Sequence, residues 1–132
     1  MTTTEDLKCL ILVLEDIEEI RDGLSKLLKV DGYRVELART LEDAILKAIC
    51  QPPDLILVCL AGSTTSIIQV AIQIRQGAEL KKDIPIVFFD VEEVEEGAEV
   101  ALEDNLYLTK PDNFNQLRAL LRKLLISKSL TP

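Results

Sequence analysis

The chain has 132 residues, 48% of them apolar, with 23 acidic against 15 basic side chains, a formal charge of −8 and no histidine. This fits one compact domain, expected over residues 1–132 with a core from about Leu7 to Ile126, and excludes disordered, collagen-like and disulfide-stapled architectures. The acidic balance, without any basic stripe carrying interleaved aromatics, argues against direct nucleic-acid binding. The apolar run Cys9 to Leu14 is too short for a membrane span and follows acidic residues, unlike a signal peptide. Cys9, Cys50 and Cys59 make an odd set, two of them inside apolar runs, and read as reduced thiols of a cytoplasmic protein.

In chain order, Leu7 to Leu14 (LKCLILVL) is a nearly continuous apolar run, as expected of a central strand covered on both faces. Ile17, Ile20, Leu24, Leu27 and Leu28 then recur at helical spacing. Tyr33 to Ala38 alternates apolar and polar, which suits an edge strand. Thr40 with Asp43 resembles a capping box and opens a second helix whose stripe is Leu41, Ala44, Ile45, Ala48 and Ile49. Leu55 to Leu60 (LILVCL) is a second central strand. In the helix after it, Ile67, Ile68, Val70, Ala71, Ile72 and Ile74 cover an arc of about 200°, against the roughly 100° that a core-facing stripe requires, so it is either an internal helix or one with a spare contact face.

Ile84 to Phe89 (IPIVFF) is the third central strand. Glu92, Glu93, Glu95, Glu96, Glu99, Glu103 and Asp104 follow with no base between them. A fourth helix is expected here. It should be marginal, because Glu92 and Glu96, Glu95 and Glu99, and Glu99 and Glu103 are like charges at i,i+4 and Gly97 interrupts the segment. The NLYLT segment before Lys110 reads as the other edge strand. The last helix buries Phe114, Leu117, Leu120, Leu121, Leu124 and Leu125 and carries Arg118, Arg122, Lys123 and Lys128. Strands alternating with helices in this way predict an α/β domain with a parallel sheet.

Ligands of such sheets sit beyond the carboxyl ends of the strands. The residues there are Glu15-Asp16, Cys59, Asp90 and Lys110-Pro111. The turn Leu14-Glu15-Asp16-Ile17 has no glycine, which excludes a P-loop, a dinucleotide site and a flavin phosphate loop. Without histidine, serine–histidine and cysteine–histidine nucleophile pairs are excluded too. A carboxylate pair facing a lysine remains, a layout suited to a divalent cation beside a phosphoryl group.

VLED at Val13 to Asp16, PDLILVC at Pro53 to Cys59, IPIVFFD at Ile84 to Asp90 and YLTKP at Tyr107 to Pro111 resemble, in order and spacing, the receiver domain of two-component response regulators. The resemblance covers nearly the whole chain. It implies a flavodoxin-like (βα)5 doubly wound sheet in the order 2-1-3-4-5 and a place in histidine-to-aspartate phosphorelay, with a sensor histidine kinase or an output protein as partner. In that family the acidic pair holds magnesium, an aspartate ending the third strand accepts the phosphoryl group, a serine or threonine ending the fourth contacts it, and a lysine binds it. Glu15, Asp16 and Lys110 match these positions, Tyr107 matches the aromatic switch position, and Lys110–Pro111 matches a peptide bond that is often cis. Members of the family commonly use the face made by the fourth helix, fifth strand and last helix for dimers or effectors, so two readings stay open for its acidic and basic edges, a homodimer pairing them across a two-fold axis or two solvated helix faces.

Two central positions depart from the family. Cys59 stands at the acceptor position and Asp90 at the hydroxyl position. Asp54 lies five residues before Cys59 on the same strand, about 16 Å away at the opposite end of the sheet, and cannot substitute. Asp90 is at the correct end but on the side that touches the group rather than attacks it. For Asp90 two roles stay open, pairing with Lys110 or capping the following helix. For Cys59 they are an inert buried thiol, favoured by the nearby carboxylates, or a redox-sensing one. With sulfur replacing one hard oxygen ligand, magnesium at Glu15 and Asp16 is expected to bind weakly if at all. The expected function is that of a degenerate, non-enzymatic receiver acting through protein contacts, with no output module inside these residues. The alternatives are a competent receiver phosphorylated at an unusual residue and a thiol sensor at Cys59.

Overall fold

The computed structural model describes residues 8–60, 63–89 and 91–130, with side chains through Ile126. Leu10–Leu14 (β1), Leu55–Val58 (β3) and Ile86–Phe89 (β4) form its centre, and every residue of β1 and β3 is buried. Alternate side chains of these strands point to opposite faces and build two cores. Leu12, Leu14, Ile56, Val58, Ile86 and Phe88 pack on one side against the buried residues of Leu41–Cys50 (α2) and Thr64–Gly77 (α3). On the other, Ile11, Val13, Leu55, Leu57 and Val87 pack against Glu18–Val30 (α1) and Phe114–Leu130 (α4).

Arg34–Ala38 (β2) flanks β1, and Leu106–Thr109 (β6) flanks β4, all four of these pairings around the centre being parallel. These five strands follow the expected 2-1-3-4-5 order. A sixth, Glu99–Leu102 (β5), pairs antiparallel with β6 and closes the sheet as β2-β1-β3-β4-β6-β5. NLYLT is therefore an inner strand, and the edge lies in the acidic tract.

The predicted fourth helix is replaced by this hairpin. Its three like-charge pairs each weaken a helix by a few tenths of a kcal/mol and Gly97 by about 1 kcal/mol. The extended alternative places Glu99 and Ala101 on one face and Val100 and Leu102 on the other, and Leu102 packs against the core. Asp104 and Asn105 take the left-handed turn (φ 59° and 62°), residue types that tolerate it. Gly97 (φ 85°) turns the chain into β5, its N–H donating to Lys110 O at 2.6 Å. The family face expected for homodimerisation consequently lacks its helix, and a strand edge stands there instead.

The helix stripes are corrected in detail. α1 buries Arg21, Leu24, Ser25 and Leu28, while Ile17, Ile20 and Leu27 are exposed. α2 buries Ala44 and Ala48 but exposes Ile49, and its cap is as expected, Asp43 N–H donating to Thr40 Oγ1 at 3.1 Å. In α3, Ile67, Ala71 and Ile74 are buried and Ile72 is 40% exposed, so the wide apolar arc does leave a spare face. α4 buries Leu117, Leu120, Leu121, Leu124 and Leu125, as its spacing requires, while Phe114, expected with them, is half-buried at its first turn.

Candidate functional site

β1 and β3 run side by side in register, Leu14 opposite Val58, so their next residues emerge together at the carboxyl end of the sheet. Cys59 N–H donates to Leu14 O at 2.9 Å and Glu15 N–H to Ala38 O at 3.0 Å, extending the ladders by one residue. Glu15, Asp16, Ile17, Ile20, Cys59, Leu60 and Phe89 line an open cavity of about 550 Å³ there. The structure thus brings together three of the predicted site residues, Glu15, Asp16 and Cys59.

Their environments differ sharply. Glu15 is only 3% exposed, and its Oε1 accepts the Ile17 N–H at 3.0 Å. Burial pushes its carboxyl above the ordinary glutamate range, and the neighbouring Asp16 adds to the shift. Asp16 faces solvent. Cys59 is half-buried, packing one side on the core behind β3 and lining the cavity with the other, so the expectation of a wholly buried thiol is corrected. Arg21, which sequence spacing does not single out, is buried and donates from Nη1 to Glu15 O at 3.0 Å. A basic residue one turn into the helix after an acidic pair was the available signal.

The remaining predicted residues lie elsewhere. Lys110 is half-buried outside the cavity lining, its N–H donating to Ala98 O at 3.3 Å; among the described residues it makes no ion pair. Tyr107 is half-buried and donates its hydroxyl to Asn105 Oδ1 at 2.7 Å. The Lys110–Pro111 bond is trans, against the cis form common in the family. Asp90 falls outside the described residues. Asp54 is at the far end of β3, where its Oδ2 accepts the Leu10 N–H at 2.7 Å, as its sequence distance from Cys59 requires.

Among the described residues no three His, Cys, Asp or Glu side chains converge to hold a metal ion. Glu15 and Asp16 are the two carboxylates that would hold a magnesium ion, with water completing its shell, and one oxygen of Glu15 is already engaged by the Ile17 N–H while a thiol stands where a further hard oxygen would serve.

No family model matches the chain. It is 32% identical over 123 residues to the KDP operon transcriptional regulatory protein KdpE of Escherichia coli, an alignment covering 92% of this chain and 53% of that protein. The chain thus spans about half the length of the curated relatives it matches. Its fold superposes on the response regulator TrrA of Thermotoga maritima, solved with Mg(2+)-BeF, at a TM-score of 0.64 and 26% identity, covering 88% of this chain and 98% of that one. The chain is a response-regulator receiver domain. A second structure, the complex of histidine kinase ThkA with TrrA, matches this receiver at a TM-score of 0.68 and 26% identity, covering 89% of this chain and 98% of that one. No described helix of the receiver is long and apolar enough to cross a membrane.

Proposed function

We propose that this receiver has lost aspartyl phosphorylation and signals by binding partner proteins whatever the phosphorylation state. The observation that supports the reading is the sulfur at the tip of β3, lining the same cavity as Glu15 and Asp16 at the position where the family has its accepting carboxylate. A thiol there offers no acyl phosphate, and Asp54 is held at the far end of the strand by Leu10. Asp90, at the family's hydroxyl position, is the second departure of the sequence from a competent receiver.

The chain's −8 charge makes a nucleic-acid backbone an unsuitable ligand, so the partner is a protein: a sensor kinase, as in the ThkA–TrrA complex, or an output protein, both in the cytoplasm. The receiver binds rather than catalyses, and magnesium contacts Glu15 and Asp16 only weakly. Titration of beryllofluoride and magnesium into isotope-labelled protein tests this, because beryllofluoride needs a carboxylate oxygen to mimic an acyl phosphate. Measured against magnesium alone, beryllofluoride is expected to leave the amide resonances of Glu15, Asp16 and Cys59 in place. Saturable beryllofluoride-dependent shifts at these three positions would overturn the reading.

A further inference from the structure

The strand that stands in place of a fourth helix leaves an open edge. β5 is paired with β6 alone. Lys110 N–H donates to Ala98 O, so alternation along the antiparallel ladder turns the backbone groups of Val100 and Leu102 toward β6 and those of Glu99 and Ala101 outward. Glu99, Val100 and Ala101 are all exposed.

This edge is held in place. Arg75 Nη2 donates to Asp104 O at 2.5 Å, and Asn105 Nδ2 donates to Asp83 O at 3.1 Å, fixing the hairpin tip to α3 and to the loop before β4. A pre-formed edge loses little entropy on pairing. Natural sheets protect open edges with charge, and here the charge has one sign: residues 91–109 hold seven acids and no base. Two of the acids are engaged, Glu93 accepting the Thr64 N–H at 2.8 Å and Asp104 pairing with Lys82 at 3.3 Å. Glu92, Glu95, Glu96, Glu99 and Glu103 remain exposed along or beside the strand. Val100 is 40% exposed, and Leu102, on the same face of the strand, lines a groove of about 330 Å³ with Ile68, Ile72 and Leu106, to which Arg75, Glu103 and Asp104 add charged walls.

We propose that the β5 edge takes up an extended, lysine- or arginine-bearing segment of a partner protein as a seventh strand. The segment's backbone pairs with Glu99 and Ala101, its basic side chains meet the acidic tract, and its apolar side chains extend the surface of Val100. Charge favours this occupant over a second copy of the chain, because edge-to-edge self-pairing brings two acidic tracts together. The proposal deepens the binding role above by naming its mode, and its test uses no phosphoryl chemistry, so either can fail alone.

The probe is the peptide Lys-Val-Lys-Val-Lys-Val-Lys, with the central valine replaced by proline as control. Amide exchange at Glu99 and Ala101 is expected to slow about tenfold on binding, and the proline peptide to bind about tenfold more weakly. Ala101→Pro removes only an outward N–H and leaves the ladder to β6 complete, and it is expected to weaken binding to a similar degree. Should Ala101→Pro disturb the hairpin, Glu99→Lys with Glu103→Lys carries the same test by weakening binding and flattening its salt dependence. Equal binding of both peptides, unchanged exchange at Glu99 and Ala101, or no binding at millimolar peptide would overturn the proposal. So would a dimer in which both amides are already protected without peptide, because that assigns the edge to a second copy.

Discussion

β3 and β5 belong to one sheet, three strands apart, and are built on opposite terms. β3 is LILV, buried at every residue and walled by helices on both faces. β5 is EVAL, exposed at its first three residues and paired on one side only. Burial of apolar surface dictates the first, because nothing but a central strand hides four large side chains on two faces. Charge repulsion and turn chemistry dictate the second, where a helix is disfavoured and a left-handed pair at Asp104–Asn105 makes a hairpin available. The receiver scaffold is thus retained at the centre, with Cys59 at the tip of β3, and departs at the edge from the fourth helix expected of the sequence.

The largest expected effect falls at the centre. Phe88 is fully buried in the core beneath α2 and α3, and Phe88→Ala should lower unfolding free energy by about 3–5 kcal/mol in chemical denaturation. A loss near zero would remove the claim that burial dictates the central strands. Gly97→Ala acts at the edge. Its backbone sits at φ 85° and an added Cβ would meet Asp112 Oδ2 at 2.9 Å, so a loss of about 1–3 kcal/mol is expected. Amide exchange should quicken in β5 and β6 more than in β1 and β3, and uniform acceleration would contradict an independently specified edge.

The smallest effect is the pH dependence of Glu15. Its folded pKa lies above the unfolded value near 4.5, so the folded state holds the proton more tightly. The associated stability is fully present below the unfolded pKa and is lost as pH rises through the folded one. Glu15→Gln, which keeps an oxygen to accept the Ile17 N–H, should therefore raise Tm slightly at neutral pH and leave it unchanged at acidic pH. A gain confined to acidic pH would reverse the sign of this argument.

Most of the central architecture was legible in the residues. Continuous runs such as LILVCL have one stable use, and Thr40 with Asp43 or the leucines of α4 carry signals that packing does not override. The hairpin was half legible. Like-charge pairs and Gly97 marked the segment as a poor helix, but Asp104–Asn105 as a turn becomes decisive only when β6 is there to pair with β5. α1 was misread by a fraction of a turn because Ile17 and Ile20 line the open cavity rather than the core, while Arg21 and Ser25 are buried. At the site, sequence alone placed Glu15, Asp16 and Cys59 together. It could not give their burial, since the depth of Glu15 depends on how α1 and Arg21 close over the end of β1.

The central claim is that no group at the tip of β3 accepts a phosphoryl. Intact-mass measurement of the folded protein after incubation with a small phosphodonor and magnesium tests it directly, with the Cys59→Asp, Asp90→Thr variant alongside. The unmodified chain is expected to keep its mass while the variant gains a labile phosphoryl group. A phosphoryl adduct on the unmodified chain would contradict the account.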